Sequence, residues 1–336
     1  MPDKQAAPAG EEQIIAATFA PLAADWPGAF GLQDDCASIA PAPGHELIVK
    51  TDPLRAGVHF FVDDHPEDIA WKALAVNVSD LAAKAARPLA YLLAASFPER
   101  PEAAWLSRFG QGLAAAQQAF GVVLIGGDTD RAPGPMSFAV TVFGEAPVGR
   151  MLRRGRALPG DILYVSGTLG DAALGLELRA GQAGPASGIA DEALRQHLLQ
   201  RYLRPRPRLG LKAALRNFAR GAMDLSDGLA KDLGRMCRAS GCGAQVDIGH
   251  LPVSPAFASA QARADEMLLR QLVGAGDDYE ILAAVSPADA ANFEASARAG
   301  GVEVRRIGHL RHGGEVRFVA PDGNRVTIPS LGYAHF

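Results

Sequence analysis

The sequence predicts a two-domain protein that mixes helices and strands, with an α+β first half and an α/β second half. Its 336 residues are enough for two domains of ordinary size. Short runs rich in Val, Ile and Leu alternate with longer Ala- and Leu-rich segments, a pattern typical of strands and helices in one fold. A basic, turn-rich stretch at 147–161 separates the halves. We therefore predict a disordered tail over residues 1–10, a first domain over 11–150 and a second over 151–336.

The first half predicts one sheet with helices on one of its faces. The glycine-free, Ala- and Leu-rich segment from Glu67 to Ala86 is typical of a buried helix, and Gly121 is placed to cap the next helix at its C-terminus. The predicted helices cover 11–24, 67–86 and 101–120, and the predicted strands cover 46–51, 88–97, 122–130 and 136–146. The order β-α-β-α-β-β favours an α+β layer.

The second half predicts a further layer of alternating elements. Strands are expected at 161–167, 222–226 and 244–248, and helices at 168–178, 209–219 and 228–240. The segment 181–190 is poor in large apolar side chains, and we expect it to be a mobile loop.

Composition excludes several classes of protein. The net charge of -4 and the isoelectric point near 6.1 give no basic surplus for a nucleic acid. No run reaches the roughly 18 apolar residues of a membrane span, and the N-terminus lacks the apolar core of a secretory signal. The three cysteines have neither the number nor the spacing of a disulfide framework. We therefore expect a soluble, cytoplasmic protein.

Acidic residues recur in turns beside predicted strands, with one pair just before the first strand and the others where later strands end or meet a helix. They are Asp34 and Asp35, Asp52, Asp128, Asp224 and Asp227. Ligands of α/β folds are bound by loops at strand ends, and Mg²⁺ prefers a few carboxylates together with water and phosphate oxygens. The alternative is that turns attract aspartate because its side chain bonds nearby backbone, and for any single turn that interpretation is favoured. The recurrence of one context, an apolar strand followed by Gly or Thr and then Asp, favours a metal site.

Two further patterns bear on this site. Asn77, Asp80 and Lys84 share one stripe of an otherwise apolar helix, which indicates either an exposed ion pair or part of a site. Ser226 is a candidate N-cap for a helix beginning near 227, and a helix N-terminus can bind phosphate.

Common nucleotide-binding and catalytic motifs are absent. SGTLGDAALG lacks the GxGxxG spacing, so a Rossmann oxidoreductase is not favoured, and the chain contains neither GxxxxGK[ST] nor GxSxG. His59 fits a position at the edge of the core as well as a ligand contact.

The motifs become recognisable when they are taken together. They are GLQDDCA (31–37), KTDPLRAGVHF (50–60), WKALAVNVSDLAAKAA (71–86), LIGGDTDR (124–131), GRMLRRGRALPGD (149–161), YVSGTLGDAALGL (164–176), MDLSDGLAKDLG (223–234), GAGDDYEI (274–281) and GYAHF (332–336). In this order the chain resembles the thiamine-monophosphate kinase family. That family lies within a superfamily that includes aminoimidazole ribonucleotide synthetase, selenophosphate synthetase and a hydrogenase-maturation protein.

The resemblance implies a fold and a reaction. It implies an aminoimidazole ribonucleotide synthetase-like fold whose N-terminal sheet joins that of a second copy into a barrel across a homodimer. It also implies transfer of a phosphoryl group from ATP to thiamine phosphate, giving thiamine diphosphate, with several Mg²⁺ ions in a cleft between the domains. The implied magnesium positions are Asp35, Thr51, Asp52, Asp80, Asp128, Asp224 and Asp227. The implied ATP contacts are Gly127, Asp128, Arg154 and Ser226, and the implied thiamine-phosphate contacts are His59 and Asp277.

The chain departs from the family pattern at a few positions. Gln33 replaces a glycine beside the acidic pair, Lys84 and Ala85 replace a more typical Met-Gly, and Asp130 replaces a threonine. Lys84 brings a cation one helical turn from Asp80. Ser330 and Leu331 stand where the family tends to place an aromatic residue against the thiamine ring, and Tyr333 is the nearest aromatic.

The chemistry explains why aspartates are expected and protein nucleophiles are not. A phosphate acceptor is already anionic, so no catalytic nucleophile or general base is predicted. Two unit charges about 4 Å apart repel by about 1 kcal/mol in water and about 4 kcal/mol at an effective dielectric constant of 20. Mg²⁺ between the two phosphates offsets that repulsion. The alternatives are another ATP-dependent enzyme of the superfamily with a different acceptor, or a non-catalytic binder of nucleotide or thiamine phosphate.

Overall fold

The computed structural model describes residues 10–260 and 265–328, with the backbone alone for 265 and 266. These residues divide into two compact units. Unit 1 comprises the residues up to 43 together with 49–77 and 88–144, and unit 2 comprises 44–48, 78–87 and the residues from 145 onward. The boundaries between the units therefore fall within the helix at 66–83 and within the strands at 45–55, 87–97 and 137–147. The predicted tail lies almost entirely outside the described residues, as do Ser330, Leu331 and Tyr333.

Unit 1 is built on a four-stranded sheet in the order β1-β4-β2-β3. The strands are β1 (His45–Arg55), β2 (Arg87–Phe97), β3 (Val123–Arg131) and β4 (Ser137–Pro147), and the helices are α1 (Glu11–Ile14), α2 (Pro66–Ala83) and α3 (Ala103–Phe120). Strands β2 and β3 are parallel. Gly121 caps α3 in a left-handed conformation, as predicted. Irregular helical turns follow α1 up to Ala23, where one helix was predicted.

Unit 2 contains a seven-stranded mixed sheet in the order β11-β10-β7-β9-β5-β8-β6. Its strands are β5 (Ile162–Ser166), β6 (Ala219–Asp224), β7 (Gly243–Asp247), β8 (Ile281–Val285), β9 (Val304–Arg311), β10 (Val316–Val319) and β11 (Arg325–Val326). Its helices are α4 (Asp171–Arg179), α5 (Glu192–Leu203), α6 (Lys212–Phe218), α7 (Leu229–Ser240), α8 (Pro255–Ala260), α9 (Asp265–Gly274) and α10 (Ala290–Ala299).

Aromatic packing holds unit 1 together. Phe138 of β4 stacks on Phe109 of α3 with ring centroids 4.7 Å apart, and Trp105 and Phe97 join the same cluster. Phe109 and Phe138 are completely buried. Burying side chains of this size contributes about 1.5–3 kcal/mol each, so this cluster fixes α3 against the sheet.

The sheet of unit 2 is buried on both faces. Leu163 and Val165 of β5 pack in one apolar cluster with Leu233 of α7, whereas Ile162 and Tyr164 pack in a second cluster with Phe293 of α10. Adjacent residues of a strand point to opposite faces, so a continuous apolar run such as ILYV is what a doubly covered strand requires.

Several local features differ from the sequence predictions. Segment 181–190 contains a helical turn at Pro185–Gly188, and Ala186 is completely buried, with its amide donating to Glu177. The small side chains of that segment therefore allow close packing and do not indicate mobility. Helix α5 was not predicted. All three cysteines are free. Within the described part of the chain, no helix is both long and apolar enough to cross a membrane.

Ala85 has a left-handed backbone conformation, with φ of 54°. Glycine adopts this conformation without a steric penalty, which fits the glycine that the resemblance implies at this position. Left-handed backbone costs a residue with a Cβ about 1–2 kcal/mol, and losing a buried methyl group costs about 0.8 kcal/mol. We therefore expect Ala85→Gly to raise the free energy of unfolding by about 0.5 kcal/mol in a denaturant titration, whereas Ala82→Gly inside α2 should lower it. Destabilisation by both substitutions would contradict this account.

Candidate active site

A cavity of about 840 Å³ in unit 1 gathers several of the predicted residues. The acidic turn supplies Asp34 and Asp35, β3 supplies Gly127 and Asp128, and β4 supplies Thr141. Leu92, Ile125 and Phe143 add apolar walls. The cavity is large enough for a nucleotide-sized ligand and has acidic and apolar sides.

Gly127 lies where β3 comes closest to β2. A Cβ at this position would lie 1.9 Å from the carbonyl oxygen of Leu93, and the φ of 154° is one that other residues rarely adopt. The next residue, Asp128, is exposed, and its Oδ1 accepts a hydrogen bond from the amide of Thr129. The glycine therefore sets the strand geometry that presents the Asp128 carboxylate.

The second half of β1 carries Thr51 and Asp52. The amide of Asp52 donates to Oδ1 of Asn77 at 2.8 Å, and its carboxylate pairs with Lys50, also at 2.8 Å. Asn77 is completely buried in α2, so its side-chain amide connects the backbone of β1 to the helix. Thr51 shares a hydrogen bond with Thr141, which lines the cavity. Asn77 was noticed in the sequence as one residue of a polar stripe, but its bond to Asp52 was not anticipated.

His59 follows β1 in a turn that fixes the tautomer of its neutral ring. The amide of Arg55 donates to Nδ1 of His59 at 3.0 Å, and the amide of His59 donates to the carbonyl of Arg55. Because a backbone amide can only donate, Nδ1 must be the acceptor. In the neutral ring the proton therefore lies on Nε2, which is a hydrogen-bond donor.

In unit 2, Asp80 of α2 and Asp224 at the end of β6 lie close enough to interact electrostatically. Asp224 is buried, and its pKa is raised well above the usual range by burial and then by the negative charge of Asp80. Lys84 opposes this shift, and its Nζ donates to the carbonyl of Ala222 at 3.1 Å. Two carboxylates at one partly buried place are a donor set that suits a hard divalent cation. Within each unit, the described residues contain no convergent group of three His, Cys, Asp or Glu side chains.

The raised pKa of Asp224 has a defined consequence for stability. The folded protein holds the proton of this carboxyl more tightly than the unfolded chain, so the contribution of Asp224 to stability falls as pH rises from about 4 towards the raised pKa. We expect the metal-free protein to lose stability relative to Asp224→Asn over this range, measured by thermal unfolding at a series of pH values. Parallel curves for the two proteins would contradict the prediction.

The loop after β6 carries Ser226 and Asp227. Helix α7 begins at Leu229 with Gly228 as its N-cap, so the prediction that Ser226 caps a helix beginning near 227 was wrong. The amides of Ser226 and Asp227 both donate to Oδ2 of Asp232, which is completely buried. A carboxylate inside the helix thus replaces the expected cap and holds the loop in place.

The Asp227 carboxylate lies in a positive environment. It is 3.0 Å from Nζ of Lys231 and 2.6 Å from Nη2 of Arg235. Arg235 also donates to Oδ1 of Asp232 at 2.7 Å. Asp232 and Arg235 were not picked out from the sequence, although their spacing of three residues on a helix is a usable signal.

The segment 275–280 lies directly against this loop. The amide of Asp277 donates to the carbonyl of Ser226 at 3.0 Å, and the amide of Tyr279 donates to the carbonyl of Leu225 at 2.9 Å. A Cβ on Gly276 would lie 2.2 Å from the carbonyl oxygen of Ser226, so only glycine allows this approach. Unit 2 therefore brings together Ser226, Asp227 and Asp277.

Arg154 lies in a short helical turn, Arg154–Arg156, anchored to the end of α7. Its carbonyl accepts a hydrogen bond from the Ser240 hydroxyl, and a Cβ on Gly155 would lie 2.8 Å from the carbonyl of Ala239. Arg154 itself is exposed, so its backbone is fixed while its guanidinium remains accessible.

Comparison with known proteins identifies the family. Residues 33–146 match the family model for the N-terminal domain of AIR synthase related proteins, and residues 159–320 match the C-terminal model. The chain is 40% identical over 335 residues to a thiamine-monophosphate kinase of Caulobacter vibrioides, covering 98% of this chain and 92% of that protein. The chain belongs to the thiamine-monophosphate kinase family. The resemblance inferred from the motifs is thereby confirmed.

Two solved structures of thiamine-monophosphate kinases support the same conclusion. That from Stenotrophomonas maltophilia K279a superposes with a TM-score of 0.82 at 37% identity, covering 94% of this chain and 98% of the other. AaThiL complexed with AMPPCP and TMP superposes with a TM-score of 0.76 at 29% identity, covering 92% and 97%. The two AIR synthase-type domains of the predicted fold are therefore present.

Proposed function

We propose that this chain transfers the γ-phosphoryl group of ATP to thiamine phosphate, giving ADP and thiamine diphosphate. The observation that carries the proposal is the 40% identity to a thiamine-monophosphate kinase over nearly the whole chain. AaThiL, similar over 92% of this chain, has been crystallised with AMPPCP and TMP. The acidic and apolar cavity of unit 1 and the paired loops of unit 2 supply groups suited to a nucleotide and a phosphate.

The ATP side of the proposed site uses Gly127, Asp128, Arg154 and Ser226. Arg154 offers an exposed guanidinium on a fixed backbone, which suits bidentate contact with a phosphate. The amides of Ser226 and Asp227 are already bonded to Asp232, so Ser226 offers ATP its hydroxyl.

The proposed metal ligands are Asp35, Thr51, Asp52, Asp80, Asp128, Asp224 and Asp227. When bound, Mg²⁺ would supply positive charge that reduces repulsion between the two phosphates. The carboxylates of the chain must be deprotonated to hold the metal ion. Asp224 is buried next to Asp80, so its negative charge is poorly solvated and a cation would stabilise it.

His59 and Asp277 form the proposed thiamine-phosphate side. Nδ1 of His59 accepts a hydrogen bond from the Arg55 amide, so the proton of the neutral ring lies on Nε2. We propose that Nε2 donates this proton in a hydrogen bond to a phosphate oxygen of thiamine phosphate. Asp277 offers a carboxylate that suits the positive ring of thiamine. No protein base is assigned, because the attacking phosphate oxygen is already an anion at neutral pH.

The first sheet also supports the proposal of a homodimer whose sheets join into a barrel. Leu47 and Val49 of β1 lie two residues apart, on the same side of the strand, and are 36% and 56% exposed. A second copy covering this apolar strip would remove it from water. Light scattering of the wild type and of Val49→Glu tests this, and a monomeric wild type would refute it. The cytoplasmic location stays a prediction.

The activity is tested by incubating the purified protein with ATP, Mg²⁺ and thiamine phosphate. Mass spectrometry is expected to show conversion of thiamine phosphate to thiamine diphosphate, with one ADP released per product. Aminoimidazole precursors and selenide serve as alternative acceptors. ADP release with one of these acceptors, and none with thiamine phosphate, would assign the chain another acceptor. Tight ATP binding without any product would favour a non-catalytic binder.

A further inference from the structure

A buried network of charges lies behind the segment that carries Asp277. Glu280 is completely buried and accepts hydrogen bonds from Arg201, Arg208 and the Ser166 hydroxyl. Nη2 of Arg201 is 2.8 Å from Oε1 of Glu280, 3.2 Å from the carbonyl of Asp278 and 3.3 Å from the carbonyl of Thr168. Arg201 therefore joins this segment to the loop before α4 at three oxygens.

The segment needs such support because its backbone is strained. Asp277 and Tyr279 both have left-handed conformations, with φ of 67° and 49°, and neither is glycine. Each such residue costs roughly 1–3 kcal/mol and persists only where its surroundings hold it. Between them, the buried Asp278 accepts a hydrogen bond from the amide of Gly170 at 2.9 Å. The contacts from Arg201 and Gly170 thus act on the residue between the two strained positions.

The neighbouring loop has a separate support. Ser226 and Asp227 are held by Asp232, which in turn is bonded to Arg235. The two loops touch through backbone hydrogen bonds, but each is fixed by its own buried side chains.

We propose that Arg201 is a positioning residue for the acceptor: it holds the strained segment 277–279 so that Asp277 meets thiamine phosphate, whereas Asp232 positions the ATP-binding loop. This inference rests on the proposed function. On this proposal, the Arg201–Glu280 network supports the segment that binds thiamine phosphate, and Asp232 separately supports the loop that binds ATP. Arg208 donates to both carboxylate oxygens of Glu280, so it supports the segment through Glu280, whereas Arg201 also contacts the carbonyl of Asp278 directly.

The test compares KM for both substrates in Arg201→Lys and Asp232→Asn. Lysine keeps the charge beside Glu280, but its shorter side chain does not reach the position of Nη2, from which all three oxygens are contacted. Arg201→Lys is expected to raise the KM for thiamine phosphate about tenfold and to change the KM for ATP less than twofold. Asp232→Asn is expected to show the reverse pattern. Arg220→Lys is the matched control, because Arg220 pairs with the buried Asp161 elsewhere in unit 2, and it should leave both KM values unchanged.

Glu280→Asp is a second variant. It keeps the negative charge but weakens the same contact, because the shorter side chain withdraws the carboxylate from Arg201. It should show the same selective rise in the KM for thiamine phosphate. Equal rises in both KM values for Arg201→Lys and Glu280→Asp would overturn the inference, as would loss of folding in both, since Arg201 would then support the domain as a whole. If the wild type and Arg220→Lys convert no thiamine phosphate, the proposed function itself fails, and this inference with it.

Discussion

Asp224→Asn is expected to lower kcat by about 10²–10³-fold, a loss comparable with removal of one strong electrostatic group from a transition state. The same substitution should raise the stability of the metal-free protein by about 1–2 kcal/mol, because it removes a buried charge that faces Asp80. A substitution that lowers activity and raises stability indicates a residue that destabilises the fold but is needed for function.

Asp128→Asn is the control for this prediction. Asp128 is exposed, so its substitution should lower turnover without changing stability. Steady-state turnover at limiting and at excess Mg²⁺, and chemical denaturation without metal, measure the two effects. If Asp224→Asn kept near wild-type turnover at limiting Mg²⁺, Asp224 could not be a metal ligand. If the substitution destabilised the metal-free protein, the repulsion with Asp80 would be absent.

Glu280→Ala is expected to lower the free energy of unfolding by about 3 kcal/mol, since removing one partner of a buried ion pair leaves the others uncompensated. Arg201 and Arg208 are 12% and 24% exposed, so water cannot fully replace the lost carboxylate. Urea denaturation of the metal-free protein measures the change.

Glu315 offers a matched exposed case. It pairs with Arg317 at 2.6 Å and Arg325 at 2.8 Å, again one carboxylate between two arginines, but on the surface. Glu315→Ala should therefore change stability little, because exposed ion pairs are screened by solvent. Equal effects at positions 280 and 315 would show that burial does not determine the contribution of such a cluster.

The sequence predicted the features that depend on residues near one another in the chain. The strands of the first half, helix α2 and the Gly121 cap follow from apolar patterns and turn chemistry. The motifs grouped Asp128 with the acidic turn and Asp80 with Asp224. Within each unit the structure places these side chains near one another, and their roles stay predictions.

The features that were missed depend on contacts between distant segments. Ser226 has the composition of an N-cap, but Asp232 reaches back to its amide, and local sequence does not reveal which oxygen is used. Arg201 and Glu280 are 79 residues apart, and each alone resembles an ordinary surface charge. The strain at Asp277 and Tyr279 exists only because that network holds it, so no propensity could indicate it.

The close backbone approaches at Gly127 and Gly276 have a consequence for how this sequence can vary. At both positions any side chain would overlap a carbonyl oxygen of the facing segment. A saturation library selected in cells that depend on this enzyme, with none of its product supplied, should return only glycine codons there. At Gly314, where a Cβ would meet nothing within 4 Å, many codons should survive. The number of residue types tolerated at these glycine positions therefore depends mainly on the distance to the facing backbone, and less on the distance to the substrates.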